Sequence, residues 1–323
     1  MERRVYSGMV GEIPGEIRLD RYAAENLGLL SRSQIRGRLL EAKVNGKPVK
    51  RSRLLKTGDA LEFSWLPPRE ENLEPEEIPL DILYEDDRTV VINKAAGMVV
   101  HPGAGNPSGT LANALLWRRP RRPGAGLETG SAAGNRVVSL RTGIVHRLDK
   151  DTSGVIAAAY DDEALAFLAA QFKARKVEKR YLALVQGTPR EQTGSINVPL
   201  VRDPANRKRF VPGKSAGAGK PAPGKPAFTG YRVIRAWGDY SLILCRPRTG
   251  RTHQIRVHLR HLGHPILGDP LYGRRDGLFP GASLMLHSYS LALILPAFPG
   301  GISRFRAPPP ERFKTLMAAL ERR

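Results

Sequence analysis

Between Ile17 and Leu30 the apolar residues fall at Leu19, Tyr22, Ala23, Leu27 and Leu30, the spacing of a helix with one buried face. Ser31 and Gln34 stand three apart as a capping box, which predicts a second helix with Ile35, Leu39 and Leu40 on one side. Asn45-Gly46 marks a tight turn, with short strands expected near residues 47–49 and 60–65. Pro67-Pro68 and the acidic stretch to Glu77 have no apolar periodicity and read as a linker.

A longer pattern begins near Ile78. Residues 82–93 give a strand signal around an Asp86-Asp87 turn, and residues 110–117 are spaced as a helix. Val155–Tyr160 is apolar enough for a buried strand, and residues 163–174 form a helix with Leu165, Phe167, Leu168 and Phe172 as its apolar positions. Residues 181–185, 231–234 and 240–245 read as strands, whereas 251–262 returns to helical spacing. Residues 283–295 are strand-rich, and 311–323 close the chain as a helix with Phe313, Leu316, Met317 and Leu320 inward. Strands and helices do not alternate regularly, so an α+β class is expected rather than a doubly wound sheet. Residues 118–138 are rich in Arg, Pro, Gly and Ser and read as a basic loop. The region 203–227 carries a Gly-Ala-Pro-Lys run that can bury little surface.

Charge narrows the partner. The 323 residues hold 52 Lys and Arg against 31 Asp and Glu, a formal charge of +21, which favours a polyanion such as nucleic acid over a membrane. Cations crowd the first unit, and Arg21, Arg32, Arg36, Arg38, Lys43 and Lys47 are expected to meet phosphates there. The single cysteine, Cys245, sits in an apolar run and reads as a buried small hydrophobe. No segment approaches the roughly 18 apolar residues of a membrane span, so a soluble, cytoplasmic protein is expected.

The densest chemistry lies in residues 143–154, Gly-Ile-Val-His-Arg-Leu-Asp-Lys-Asp-Thr-Ser-Gly. Asp149 follows His146 and Arg147 on a loop before an apolar strand, where scaffolds present reactive groups. A turn aspartate and a reactive one are equally served by this pattern. His253, His258, His261 and His264 share a helical segment, but Arg251, Arg256 and Arg260 are interleaved with them. An anion or a carboxylate, rather than a metal, is the expected object of these side chains. No phosphate-binding glycine loop or nucleophile elbow appears. A carboxylate can attack a sugar or base carbon, yet glycosidases need a second one. Asp151 is the nearest candidate and is two residues away, so breaking a nucleoside bond is the more natural proposal.

Four stretches together carry a family resemblance: residues 93–102, Asn-Lys-Ala-Ala-Gly-Met-Val-Val-His-Pro; 146–154, His-Arg-Leu-Asp-Lys-Asp-Thr-Ser-Gly; 179–185, Lys-Arg-Tyr-Leu-Ala-Leu-Val; and 249–259 continuing to Asp269. With them the chain resembles the pseudouridine synthases of the ribosomal large-subunit type, which carry an N-terminal S4-like RNA-binding domain. Ala95 stands where that family usually has proline. The resemblance implies an S4-like domain over 15–66, a linker over 67–77 and a catalytic domain over 78–323 with a mixed, mainly antiparallel sheet and peripheral helices. It further implies isomerisation of uridine to pseudouridine within RNA, most naturally large-subunit ribosomal RNA, by a monomer needing no cofactor or metal.

In that scheme Asp149 is the essential carboxylate, and Tyr181 stacks on the uracil and assists the last deprotonation. Arg256 pairs with Asp149. Arg147 fills the space left by the flipped nucleotide, Leu286 packs on the other face of the base, and His146 belongs to the same substrate site. An RNA-binding assembly factor would use the same basic unit without the catalytic set, and transfer RNA would suit the same chemistry.

Overall fold

The computed structural model describes residues 3–30, 35, 37–66, 73–103, 105–118, 143–213 and 222–323. The chain divides into two compact units, Met1–Asn72 and Leu73–Arg323.

In the first unit β1 (Arg4–Met9), β6 (Ala60–Trp65), β3 (Leu39–Val44) and β4 (Lys47–Pro48) form a sheet in that order, while β2 (Ile17–Arg18) pairs with β5 (Leu54–Leu55). The expected first helix is real but shorter, Leu19–Glu25, with Leu19, Tyr22 and Ala23 in the core. Leu39 and Leu40 belong to a strand, not to the helix expected from their spacing with Ile35. The reason lies in the next four residues: Ala42 and Val44 are buried while Glu41 and Lys43 are exposed, a period of two. Strand β1 carries no hydrophobic signal because Val5 and Met9 point outward, 65% and 63% exposed, yet it pairs with the whole of β6. Ser31 and Gln34, the expected capping box, lie outside the described residues.

The second unit is built on one mixed, mostly antiparallel sheet. Its strands run β11 (Thr193–Asn197), β14 (Phe228–Trp237), β15 (Tyr240–Pro247), β10 (Glu178–Gln186), β16 (Leu286–Leu295), β9 (Ser153–Ala159), β8 (Thr89–Lys94), β7 (Ile82–Glu85). Both faces are covered, so the central strand β9 is buried along its entire length. Ile156 and Ala158 face one core with Leu111, Leu259 and Phe313; Val155, Ala157 and Ala159 face another with Ala164 and Leu168. Those cores are supplied by the peripheral helices Leu111–Arg118, Asp162–Lys173, Gln254–His261 and Glu311–Glu321. At the start of the second of these, Asp161 Oδ1 accepts from the Ala164 amide as an N-cap.

Strand β16 shares its edges unequally. One edge pairs with β10 from Leu286 to Ala292; the other pairs with β9, in parallel, at His287 and Ser288 and then passes to β17 (Phe298–Arg306) from Ser290 onward. Strand β17 escaped the sequence pattern because its side chains are mostly exposed; its pairing rests on backbone bonds. Strands β12 (Leu200–Arg202) and β13 (Phe210–Pro212) form a separate short hairpin. Among the described residues no helix is long and apolar enough to cross a membrane. Most of the expected loop 118–138, and residues 214–221 of the second, lie outside the described residues.

Candidate active site

Register on four neighbouring strands assembles the site. Tyr181 on β10 lies opposite Cys245 on β15 and Ser288 on β16, and Ser288 in turn lies opposite Gly154 at the start of β9. That approach is close enough to require glycine: Gly154 has φ +108°, and a Cβ there would stand 2.2 Å from the Ser288 carbonyl oxygen. The loop bearing Asp149 leads into β9, Leu286 begins β16, and β15 runs through residues 248–253 into the helix that carries Arg256. All of these meet at one cavity of about 680 Å³.

At its base Arg256 Nη1 donates to Asp149 Oδ2 at 2.9 Å. The rest of the guanidinium is committed elsewhere: Nε and Nη2 each donate at 2.7 Å to Asp269, whose side chain is fully buried. Asp269 Oδ1 also accepts the amides of Leu271 and Tyr272, so it is fixed from a second direction. The Arg256 guanidinium lies 5.1 Å from the centre of the Tyr272 ring. Although burial opposes its charge, the two carboxylates raise Arg256 further above the ordinary arginine value, and it stays a cation.

Tyr181 and Leu286 are buried and line the cavity. Burial pushes the Tyr181 hydroxyl up to about 12, with Asp149 adding to the shift, so it is protonated at neutral pH. Arg147 is exposed at the cavity lining. His146 lines the cavity too, but its Nε2 accepts the Ala157 amide at 3.0 Å and its ring stacks on Phe172 at 4.6 Å. Burial first, and Lys179 second, holds it down to about 3, a neutral imidazole.

The loop itself is anchored from below. Lys94 is buried, and its Nζ donates to the carbonyls of Ala95, Met98 and Lys150. The Asp149 carbonyl accepts the Thr152 amide at 3.1 Å, closing the turn. Thr152 Oγ1 is buried beside the cavity and has no hydrogen-bond partner among the described residues. His287 supports the strand start: Arg312 donates to Ser153 Oγ, Ser153 lies 2.9 Å from His287 Nδ1, and His287 Nε2 lies 3.1 Å from the Ala307 carbonyl. A carbonyl only accepts, so Nε2 carries the proton and Nδ1 accepts from Ser153.

The cavity wall is cationic. Arg147, Lys173, Arg175, Lys179, Arg248 and Arg251 line it, and Asp149 is the one carboxylate among its described lining residues. Sequence reasoning missed Asp269 as the second anchor of Arg256, although the residue closed one of the quoted motifs. It also gave Lys94 and His287 no role. Of the four clustered histidines, His258 bonds Thr229 and the Val198 carbonyl, and His264 the Gln186 carbonyl. His253 alone of that group lines the cavity. In the first unit Arg21, Lys43 and Lys47 are exposed, Arg21 beside Glu25 at 2.7 Å; Arg38 is half-buried. Arg32 and Arg36 lie outside the described residues.

A carboxylate–arginine pair in a cationic cavity is a site suited to a polyanionic ligand. The comparisons make the class specific. Residues 88–261 match the family model described as RNA pseudouridylate synthase. The chain is 41% identical over 283 residues to the ribosomal large subunit pseudouridine synthase D of Borreliella burgdorferi, covering 86% of this chain and 82% of that protein. It is 43% identical to an uncharacterized RNA pseudouridine synthase of Chloroflexus aurantiacus, over 95% and 90% of the two chains. The solved structure of human RNA pseudouridylate synthase domain containing 1 is similar with a TM-score of 0.54 at 26% identity, over 77% of this chain and 97% of that one. The chain therefore belongs to the RNA pseudouridine synthases, isomerases whose substrate is RNA.

Proposed function

We propose that the enzyme modifies large-subunit ribosomal RNA, with Asp149 as the reacting carboxylate. The observation that carries the role of Asp149 is its 2.9 Å contact with Arg256 in a cavity whose other charged lining residues are cations. The target uridine leaves its stack and enters the cavity, because a base inside folded RNA is out of reach of a protein carboxylate. Tyr181 stacks on one face of the uracil and Leu286 packs on the other, with His146 as part of the wall. Arg147, at the solvent end, occupies the gap left in the RNA. Arg256, bonded to Asp149 Oδ2, holds the carboxylate turned toward the sugar and base.

Once the C1′–N1 bond breaks, the uracil turns in place, C5 bonds to C1′ and then loses its proton, and N1 takes up a proton in exchange. Holding the cleaved base in the cavity makes that rejoining effectively unimolecular. With its hydroxyl protonated at neutral pH, Tyr181 enters the reaction as a donor or a stacking face before it can act as a base. Chemistry of this kind calls on no metal or cofactor.

The ribosomal target is supported by the names borne by several relatives, among them the synthase D of Borreliella burgdorferi. The N-terminal unit is read as an S4-like RNA-binding module, with Arg21, Arg38, Lys43 and Lys47, and with Arg32 and Arg36, meeting phosphates. Mapping pseudouridines in total RNA from cells with and without the gene tests the target directly. Sites lost from large-subunit ribosomal RNA are expected; losses confined to transfer RNA would replace the ribosomal reading.

A further inference from the structure

We propose that His253 is a positioning residue for the isomerisation: an uncharged N–H donor that shares Oδ2 of Asp149 with Arg256 and leaves Oδ1 to meet the substrate. The proposal rests on the reading of Asp149 as the reacting carboxylate.

The proton on the His253 ring can be placed by following its hydrogen bonds. The Phe210 amide, which can only donate, gives its hydrogen to Tyr272 Oη at 2.8 Å. Tyr272 Oη also lies 2.9 Å from His253 Nδ1, and the tyrosine is buried with 1% exposure. Were Nδ1 to donate as well, the hydroxyl hydrogen would be sealed in with no acceptor among the described residues. So Tyr272 donates, Nδ1 accepts, and the ring hydrogen sits on Nε2. That nitrogen faces Asp149 Oδ2 at 3.9 Å, the same oxygen that Arg256 Nη1 contacts at 2.9 Å. The gap is beyond a direct hydrogen bond and within reach of one bridging water or a small closure on RNA.

The ring is held for this aim. Phe210 and Tyr272 meet it edge-on at 6.0 and 5.5 Å, one from the β12–β13 hairpin and one from the segment after the Arg256 helix. His253 also has φ 56° and ψ 18°, a left-handed conformation just before the Gln254–His261 helix. Such a backbone costs about 1 kcal/mol in a residue other than glycine and is kept where the surroundings over-determine it. The charged and titratable groups around the ring are Asp149, Asp269, Arg256, Arg147 and Tyr272. Burial outweighs the pull of Asp149 and keeps the imidazole below its ordinary range. A neutral donor suits this position, because a second full cation on Asp149 would blunt the carboxylate that must react, whereas an N–H orients it.

The experiment uses full-length protein and total RNA from cells lacking the gene, labelled with tritium at uridine C5. Wild type, His253→Asn, His253→Gln and Asp149→Asn are compared for single-turnover tritium release and for RNA affinity. Asparagine tolerates the left-handed backbone but is too short to present a donor to Asp149, whereas the glutamine amide nitrogen reaches roughly where Nε2 stands. The expected result is release slowed about 10-fold or more in His253→Asn, RNA affinity within about twofold of wild type, and most of the rate restored in His253→Gln. A wild-type rate in His253→Asn, a drop in affinity in step with the rate, or no advantage of Gln over Asn, with Asp149→Asn inactive, overturns the His253 proposal and leaves the site reading intact. Wild-type release by Asp149→Asn overturns both. Where the variants do not fold, neutron diffraction on the wild type reads the proton directly: deuterium on Nε2 alone supports the proposal, and deuterium on Nδ1 overturns it.

Discussion

Arg256 reaches Asp149 with one nitrogen and Asp269 with two, so the guanidinium is clamped before it meets the proposed reacting carboxylate. A planar fork grips Asp269 with two parallel bonds and still presents a third nitrogen to Asp149; an ammonium has no such fixed geometry. Arg256→Lys is therefore expected to cut kcat about 100-fold while KM for RNA moves little. Steady-state kinetics on a defined RNA check this, and an equal change in KM would mean that Arg256 serves binding instead.

Asp269→Asn removes one charge from the clamp and leaves a carbonyl in its place. Its buried amide group cannot accept from Nε and Nη2 together, so Arg256 gains freedom to drift from Asp149. A fall in kcat of roughly 10- to 100-fold is expected, with the protein still folded. Activity unchanged in this variant would show that Asp149 alone positions the guanidinium.

Lys94→Met should act on stability first. It strands three carbonyls, those of Ala95, Met98 and Lys150, that now share one buried ammonium. The expected cost is on the order of 2–4 kcal/mol, read from urea unfolding of the variant against wild type.

The acid side of the stability profile should carry the signature of His287. Burial, helped by the nearby Arg312, pushes it down to about 4 from the ordinary 6.5. The unfolded chain then takes up a proton below about pH 6.5 that the folded chain refuses until about pH 4. Stability from this group is complete above pH 6.5 and is lost as pH falls toward 4, on the order of 3 kcal/mol over that window. In His287→Gln the unfolding free energy should vary less with pH between those limits, and an unaltered slope would count against the neutral His287.

Deleting residues 1–72 removes a unit with a core of its own, built on Leu19, Ile35, Leu61 and Phe63. The remaining chain should unfold cooperatively and bind RNA at least about 10-fold more weakly near physiological salt. Its salt dependence should also be shallower, by roughly 0.9 in the log–log slope for each phosphate the N-terminal unit no longer neutralises. Equal slopes for the two proteins would remove the N-terminal unit from RNA binding.

Much of this architecture was legible in the chain. The apolar runs at 155–160, 181–185 and 240–245 became the centre of the sheet because a strand buried on both faces needs no alternation. Strands β1 and β17 were invisible for the opposite reason: they pair through their backbones and turn Val5, Met9 and Ile302 to solvent. Within the site, the motifs brought Asp149, Tyr181 and Arg256 to notice as a set. Asp269 and His253 acquired a purpose only in three dimensions. The first is defined by what Arg256 does with its remaining nitrogens, and the second by a hydrogen-bond direction that begins at the Phe210 amide on a distant hairpin. Neither geometry leaves a trace in spacing.

Tritium release from C5-labelled uridine in RNA, compared between wild type and Asp149→Asn, tests the central claim most directly. Asparagine keeps the shape of the side chain, so RNA affinity should hold within about threefold while release falls by about 10⁴-fold or more. Release by Asp149→Asn at the wild-type rate, on RNA that both proteins bind equally, would contradict the account.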